Sequence, residues 1–194
     1  MTASSKSVEL NLRLWRRLYQ TYTLLKVCED QIFEEFGLTT EQYAVLVTID
    51  YLGGPARVTD IAQWLERSTN SISMLVDRMV KAGLVKRTRD RKDRRVVFVT
   101  ASSKGEKALK PANVASFEVV SKILSALPYE ERYTLFNLLG TVKHEILEYL
   151  NPGVDIKEVK RIELEHAANM ESWINKYGLT SGSEAKRQGG RKKL

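Results

Sequence analysis

Residues 68–100, STNSISMLVDRMVKAGLVKRTRDRKDRRVVFVT, decide the fold. They read as a helix with a short-polar leading end, a stop at Gly83, and two β-rich arms around a charged tip. Ser68 is the expected N-cap, and Ile72, Leu75, Val76, Met79 and Val80 recur at helical spacing as an inward face. That leaves Thr69, Asn70, Ser73, Asp77, Arg78 and Lys81 outward. Ser68, Thr69, Asn70, Ser71 and Ser73 are short enough to bring a helix close to base edges in a DNA major groove, and Arg78 can reach bases or phosphates. The tip carries Arg87, Arg89, Arg91, Lys92, Arg94 and Arg95, interrupted by Asp90 and Asp93. Charge runs are often only solvated hairpins. Here the run follows a helix with a base-reading surface, and six cations in nine residues suit a polyanion better than a core.

The charge of the rest of the chain supports that reading. The net charge is +7, yet residues 1–53 sum to −2 and residues 101–183 to −1. Residues 54–100 hold 11 Lys and Arg against 5 Asp and Glu, and residues 184–194 hold 5 against 1. The excess is therefore placed in the middle segment and the tail.

Several classes drop out. A hydrophobic content of 43% over 194 residues is enough for a core, so global disorder is not expected. No apolar run approaches the roughly 20 residues that span a bilayer, so no membrane role is expected. MTASSKSVEL at the N-terminus lacks a secretory pattern, and the single cysteine suits a reducing, cytoplasmic setting. His144 and His166, the only histidines, have no neighbours at metal-ligand spacing. No phosphate-cradling loop, nucleophile elbow or paired carboxylates appear, so neither an enzyme nor a cofactor is expected.

Working outward, Val8, Leu12, Trp15, Leu18, Tyr22, Leu25, Ile32 and Phe36 mark a long amphipathic first helix ended by Gly37. A second helix covers 40–52, striped by Tyr43, Leu46, Val47 and Ile49 and stopped by Gly53-Gly54-Pro55. Val58 reads as a β-type residue before Thr59, the expected N-cap of a third helix through residue 66 with Ile61, Ala62 and Leu65 inward. After the quoted helix come strands at 84–88 and 95–100. Helix, turn, helix and charged hairpin make a winged helix-turn-helix order. Two long helices follow. Residues 103–127 show Ala108, Val119, Ile123 and Leu124 inward, and residues 128–150 show Leu135, Leu138, Leu139, Val142, Ile146 and Leu147. Asn151-Pro152-Gly153 is a turn, residues 155–177 a last amphipathic helix, and residues 179–194 a basic tail with a disordered composition. The fold class is mainly α with a small β-hairpin wing.

This order resembles the MarR family of transcriptional regulators. The family's wing signature is similar to Asp90-Arg91-Lys92-Asp93-Arg94-Arg95 followed by Val99-Thr100. Gly83-Leu84-Val85-Lys86-Arg87 resembles the exit from its recognition helix, Leu38-Thr39-Thr40-Glu41-Gln42-Tyr43 its second-helix entry, and Gly105 the start of the helix after the wing. The likeness covers residues 8–150, and the residues beyond have no counterpart in most members. It implies a homodimer binding a pseudo-palindromic double-stranded DNA operator, with recognition helices about 34–36 Å apart. It implies dimerisation by residues 1–36 and 103–150, and DNA binding by a lobe at 37–102. Residues 151–178 form an extra helix. Residues 91–95 are implied as the DNA-contacting wing, with the arginine at Arg94 entering the minor groove while Asp93 shapes the wing.

The function that follows is a transcriptional repressor, released by a small-molecule effector whose pocket Trp15, Tyr19 and Tyr22 would line. An aromatic stripe at helical spacing also serves a core. Two alternatives stay open: a thiol-based redox sensor through Cys28, and an effector-independent architectural DNA-binding protein. Against the first, unpaired cysteines mostly behave as small buried hydrophobes. The reactive thiol of peroxide-sensing members also lies near the start of the first helix, whereas Cys28 lies in its last third.

Overall fold

The computed structural model describes residues 3–90, 93, 96–168 and 170–179. The expected arms Arg91, Lys92, Arg94 and Arg95 and the tail from residue 180 onward lie outside the described residues. The chain divides into two compact units, residues 1–113 and 114–194.

The first unit opens with α1 (Ala3–Glu34). Gly37 adopts φ +69°, which an L side chain rarely tolerates, and lets the Leu38 amide return to the Phe33 carbonyl at 3.0 Å. α2 (Thr40–Tyr51) starts on a reciprocal cap. The Gln42 amide donates to Thr39 Oγ1 at 3.2 Å, and the Thr39 amide donates to Gln42 Oε1 at 3.1 Å. Tyr43 stacks on buried Phe33 with ring centroids 3.7 Å apart, so the two helices are joined by an aromatic pair.

β1 (Ala56–Arg57), α3 (Val58–Trp64), α4 (Thr69–Lys81), β2 (Val85–Arg89) and β3 (Val97–Ala101) complete the winged lobe. Two expectations are corrected. Val58 is the first residue of α3 rather than a strand residue, and Arg57, not Thr59, is its N-cap. The Asp60 carboxylate accepts the Arg57 amide at 3.3 Å, which satisfies that end of the helix without a threonine. The sheet has a third strand, in the order β1-β3-β2, with Ala56 opposite Val99 and Arg87 opposite Val99 on the other side. The core joins Phe33, Leu46, Ile61, Ile72, Met79 and Val99, so helices α1 to α4 and the sheet share one apolar centre. Val80, expected inward, is 39% exposed.

Past the sheet, α5 (Ser103–Leu124) begins against the end of α4. The Ser102 hydroxyl donates to the Gly83 carbonyl at 2.6 Å and accepts the Gly105 amide at 3.1 Å. Lys104 Nζ donates to the Ala82 carbonyl at 2.9 Å, placing a cation at the negative end of α4. A Cβ at Gly105 would meet the Leu84 carbonyl oxygen at 2.2 Å, so glycine is required by this close approach.

The second unit contains the rest of α5, α6 (Tyr129–Leu150), α7 (Ile156–Ala168) and α8 (Met170–Tyr177); Asn169, between the last two, lies outside the described residues. Asp155 Oδ1 accepts the amides of Lys157 and Glu158 at 2.9 and 3.2 Å, a side-chain cap for α7. Glu163 on α7 joins α6 through Lys143 Nζ at 2.7 Å and His144 Nε2 at 3.0 Å. The stripe expected to be inward is a correction at Ile123, Leu124, Leu135, Leu138, Leu139, Val142 and Ile146, all exposed in the single chain. Their periodicity is helical, but among the described residues no neighbouring helix of this unit covers them.

Candidate nucleic-acid interface

The geometry of α4 follows from its two ends. Ser68 is its N-cap, accepting the Ser71 amide on Oγ at 3.2 Å, and the two hydroxyls lie 2.8 Å apart. At the far end Gly83, at φ +73°, lets the Leu84 amide reach the Met79 carbonyl at 2.9 Å. Ile72, Leu75, Val76 and Met79 anchor one face in the core. Thr69, Asn70, Ser71 and Arg78 are exposed, and Ser73 is half-buried. The short-polar leading turn is thus on the surface of a rigidly seated helix.

The wing closes at Asp90 and Val96. The Asp90 amide donates to the Val96 carbonyl, and the Val96 amide to the Asp93 carbonyl, each at 3.0 Å. Asp90 Oδ1 accepts the Asp93 amide at 2.9 Å, so a side-chain turn shapes the tip. Asp93 takes part through its backbone and Asp90 through its carboxylate, whereas the sequence expectation named Asp93 alone as shaping the wing.

Arg87 departs from the tip cluster. Its Nη1 donates to Asp77 Oδ1 at 2.6 Å, and its Nη2 to the Ser73 carbonyl at 3.0 Å and Ser73 Oγ at 3.1 Å. Sequence reading counts Arg87 among the cations of the tip and Asp77 among the outward residues; their charge was legible, but their partnership across 10 residues was not. It also missed Arg57, whose guanidinium lies 6.0 Å from the centroid of the Phe98 ring. Arg57, Thr59, Thr69, Ser73 and Arg87 line a concavity of about 400 Å³ beside the leading turns of α4.

Of the three aromatic pocket candidates, Tyr22 lines a cavity among the described residues. Trp15 and Tyr19 are exposed on α1, at 66% and 69%. The cavity, about 190 Å³, lies among α1, α2 and the start of α4 and is lined also by Lys26, Glu29, Glu41 and Arg67. Glu41 sits 3.8 Å from Lys26 and 4.0 Å from Arg67. Burial, followed by Asp30, pushes the Glu29 carboxyl up, against the opposing pull of Lys26. Cys28 is a free, half-buried thiol. Among the described residues no cluster of His, Cys, Asp and Glu could hold a metal, and no helix is long and apolar enough to cross a membrane.

Known proteins match this arrangement. The MarR family model matches residues 36–96. The HTH-type transcriptional regulator MgrA of Staphylococcus aureus is 34% identical over 115 residues, covering 59% of this chain and 76% of MgrA. The organohalide-sensing transcriptional regulator RdhR, solved ligand-free, superposes with a TM-score of 0.68 at 24% identity, over 78% of this chain and 90% of that one, which speaks for the fold alone. Reduced AbfR bound to DNA superposes with a TM-score of 0.60 at 28% identity, over 74% of this chain and 99% of AbfR. The overoxidized form, also bound to DNA, gives 0.59 at 27%, over 73% and 98%.

Proposed function

The chain belongs to the MarR family of DNA-binding transcriptional regulators, and on that premise we propose that it acts as a homodimeric repressor on a pseudo-palindromic operator in the cytoplasm. The observation that carries the reading is the exposed short-polar turn of α4, set on a core-anchored helix beside the wing. In this reading Asn70 faces base edges, Ser73 and Arg78 serve bases or phosphates, and Ser68, Thr69 and Ser71 form the capped leading turn beside them. Arg94 enters the adjacent minor groove, where a narrow A·T-rich segment attracts arginine, and Arg91, Lys92, Asp93 and Arg95 are the other wing residues at the DNA. Residues 37–102 are the reading lobe, and residues 1–36 and 103–150 the dimerisation helices. Support for the dimer comes from large apolar side chains left in water, among them Leu12 and Trp15 on α1 and Phe136 and Leu138 on α6. Repression follows from occupying promoter DNA. Release follows if an effector stabilises a lobe spacing that misfits the operator.

Effector binding is supported by the cavity beside Tyr22. Its 190 Å³ lies below the roughly 300–1,000 Å³ of drug-sized sites, so the ligand in this reading is small. The deciding experiment is footprinting on promoter DNA flanking its own gene, with the wild type and with Arg94→Ala. A symmetric protected site that the variant occupies far more weakly is expected. Equal occupancy by the variant, or protection without a preferred site, would remove the wing assignment or favour an architectural role.

A redox reading has one specific support, the 27–28% identity to AbfR, which was solved on DNA in reduced and overoxidized states. Cys28 is the only thiol to carry it here. Peroxide treatment that releases wild-type protein but not Cys28→Ser from DNA would establish it, and equal responses would end it.

A further inference from the structure

Arg87 and Asp77 have a role that neither base reading nor phosphate contact explains. Arg87 lies on β2 with its side chain 28% exposed, and its guanidinium spans two successive turns of α4. Nη1 holds the Asp77 carboxylate, while Nη2 holds both the carbonyl and the hydroxyl of Ser73, four residues earlier on the same face. A forked, charge-assisted grip of this kind restrains rotation of a helix about its own axis, which apolar packing alone restrains less sharply. Asp77 is the only acidic residue of α4, and it is 57% exposed. A negative charge on a helix that approaches phosphates opposes binding, so its presence calls for a compensating task. Arg87, in turn, has its charge balanced by Asp77 and its Nη2 engaged by Ser73, and is poorly placed to act as a free phosphate anchor.

We propose that Arg87 is a positioning residue, a strut from β2 through Asp77 and Ser73 that sets the rotation at which α4 presents Asn70 and its neighbours to base edges. The inference rests on α4 as the reading helix. It makes Asp77 a determinant of sequence selectivity rather than a surface charge.

The strut and simple electrostatics give opposite signs for one substitution. Asp77→Asn deletes a negative charge, so electrostatics alone makes every DNA bind more tightly. If the strut sets the helix, Asp77→Asn weakens binding to a duplex selected by the protein from a random-sequence pool by about tenfold. Binding to a scrambled duplex of the same length holds or tightens, so the selectivity ratio falls. Arg87→Lys, which keeps the charge but cannot fork, should lower the same ratio without changing the slope of log affinity against log salt. Both variants are checked for unchanged helicity and thermal midpoint, and the exposed Asp77 substitution keeps the test available if Arg87 variants fold poorly. Selected-duplex affinity retained or improved in Asp77→Asn overturns the proposal. So does an Arg87→Lys variant that loses both duplexes equally. Asn70→Ala serves as the separate control: if it leaves selectivity intact, α4 is not the reading helix, whereas its loss alongside an inert Asp77→Asn rejects the strut alone.

Discussion

Neighbouring serines on α4 are not equivalent. Ser68 and Ser71 are tied together at the helix start through their hydroxyls and the Ser71 amide, whereas Asn70 is exposed on the same turn. Asn70→Ala should therefore cost about 1–3 kcal/mol of operator affinity and relax selectivity at one base-pair position, and Ser71→Ala much less. Titration against single-substituted operators checks this, and equal losses for the two would refute it. The composition of this surface was legible from residues 68–73, because short polar side chains leave a mark on a helix otherwise striped with Ile, Leu, Val and Met. Which hydroxyls are already taken was not, since a cap is a matter of backbone geometry. Residue-scale surprises also occur in the core. Asn113 on α5 is 1% exposed, and neither its side-chain nitrogen nor its side-chain oxygen has a hydrogen-bond partner among the described residues. An isosteric apolar residue removes that desolvation cost, so Asn113→Leu should raise stability by about 1–3 kcal/mol in urea unfolding. A loss of stability would mean the amide is satisfied in solution.

At the scale of elements, close packing at the entry of α5 makes Gly105 the sharpest constraint. Gly105→Ala would drive a methyl to within 2.2 Å of the Leu84 carbonyl, a backbone atom that yields only if α5 or β2 moves. The expected cost is about 1–3 kcal/mol or more in denaturant unfolding, and a wild-type midpoint would show that α5 shifts freely. The need for glycine here was visible only as a family resemblance, because the atom it avoids belongs to a residue 21 positions earlier. Elements with a long period were legible: α1, α2, α4 and α6 all form where 3.6-residue stripes run. β1 was not, since two residues carry no period, and its strand character comes from pairing with β3. Val80 was misread because a residue at the edge of an apolar stripe is covered or bare according to its neighbour. The Thr59 cap failed for a related reason: a carboxylate three residues on from Arg57 did the same work.

On the scale of the molecule, two properties emerge that no single element holds. The first is acid sensitivity of the second unit. Burial holds the His166 imidazole below its ordinary 6.5, partly offset by Glu165 and Glu163. The folded chain then binds fewer protons than the unfolded one, so stability is lost as pH falls below about 6.5. Burial pushes the Glu163 carboxyl up, yet the bonds from Lys143 and His144 prevail and leave it below its ordinary 4.5. Its contribution is present above 4.5 and is lost as pH falls through the lower folded value. Hydrogen-exchange protection of α7, corrected for intrinsic rates, should decline relative to α4 as the pH is taken from neutral through both ranges, and constant relative protection would contradict the linkage. The second property is assembly. α6 has no buried residue in the single chain, and α1 leaves Leu12, Trp15 and Leu24 mostly in water. Apolar area of that extent stabilises nothing unless a partner covers it, at roughly 25 cal/mol for each Å² removed from water. If a second copy completes these long helices, as the proposed dimer requires, the folding equilibrium contains protein concentration. The unfolding midpoint should therefore rise with concentration across a dilution series, as mass action requires of an obligate dimer. A concentration-independent midpoint together with a stable folded monomer in sedimentation would show that these helices are complete alone, and would remove the two-fold geometry on which the operator spacing depends.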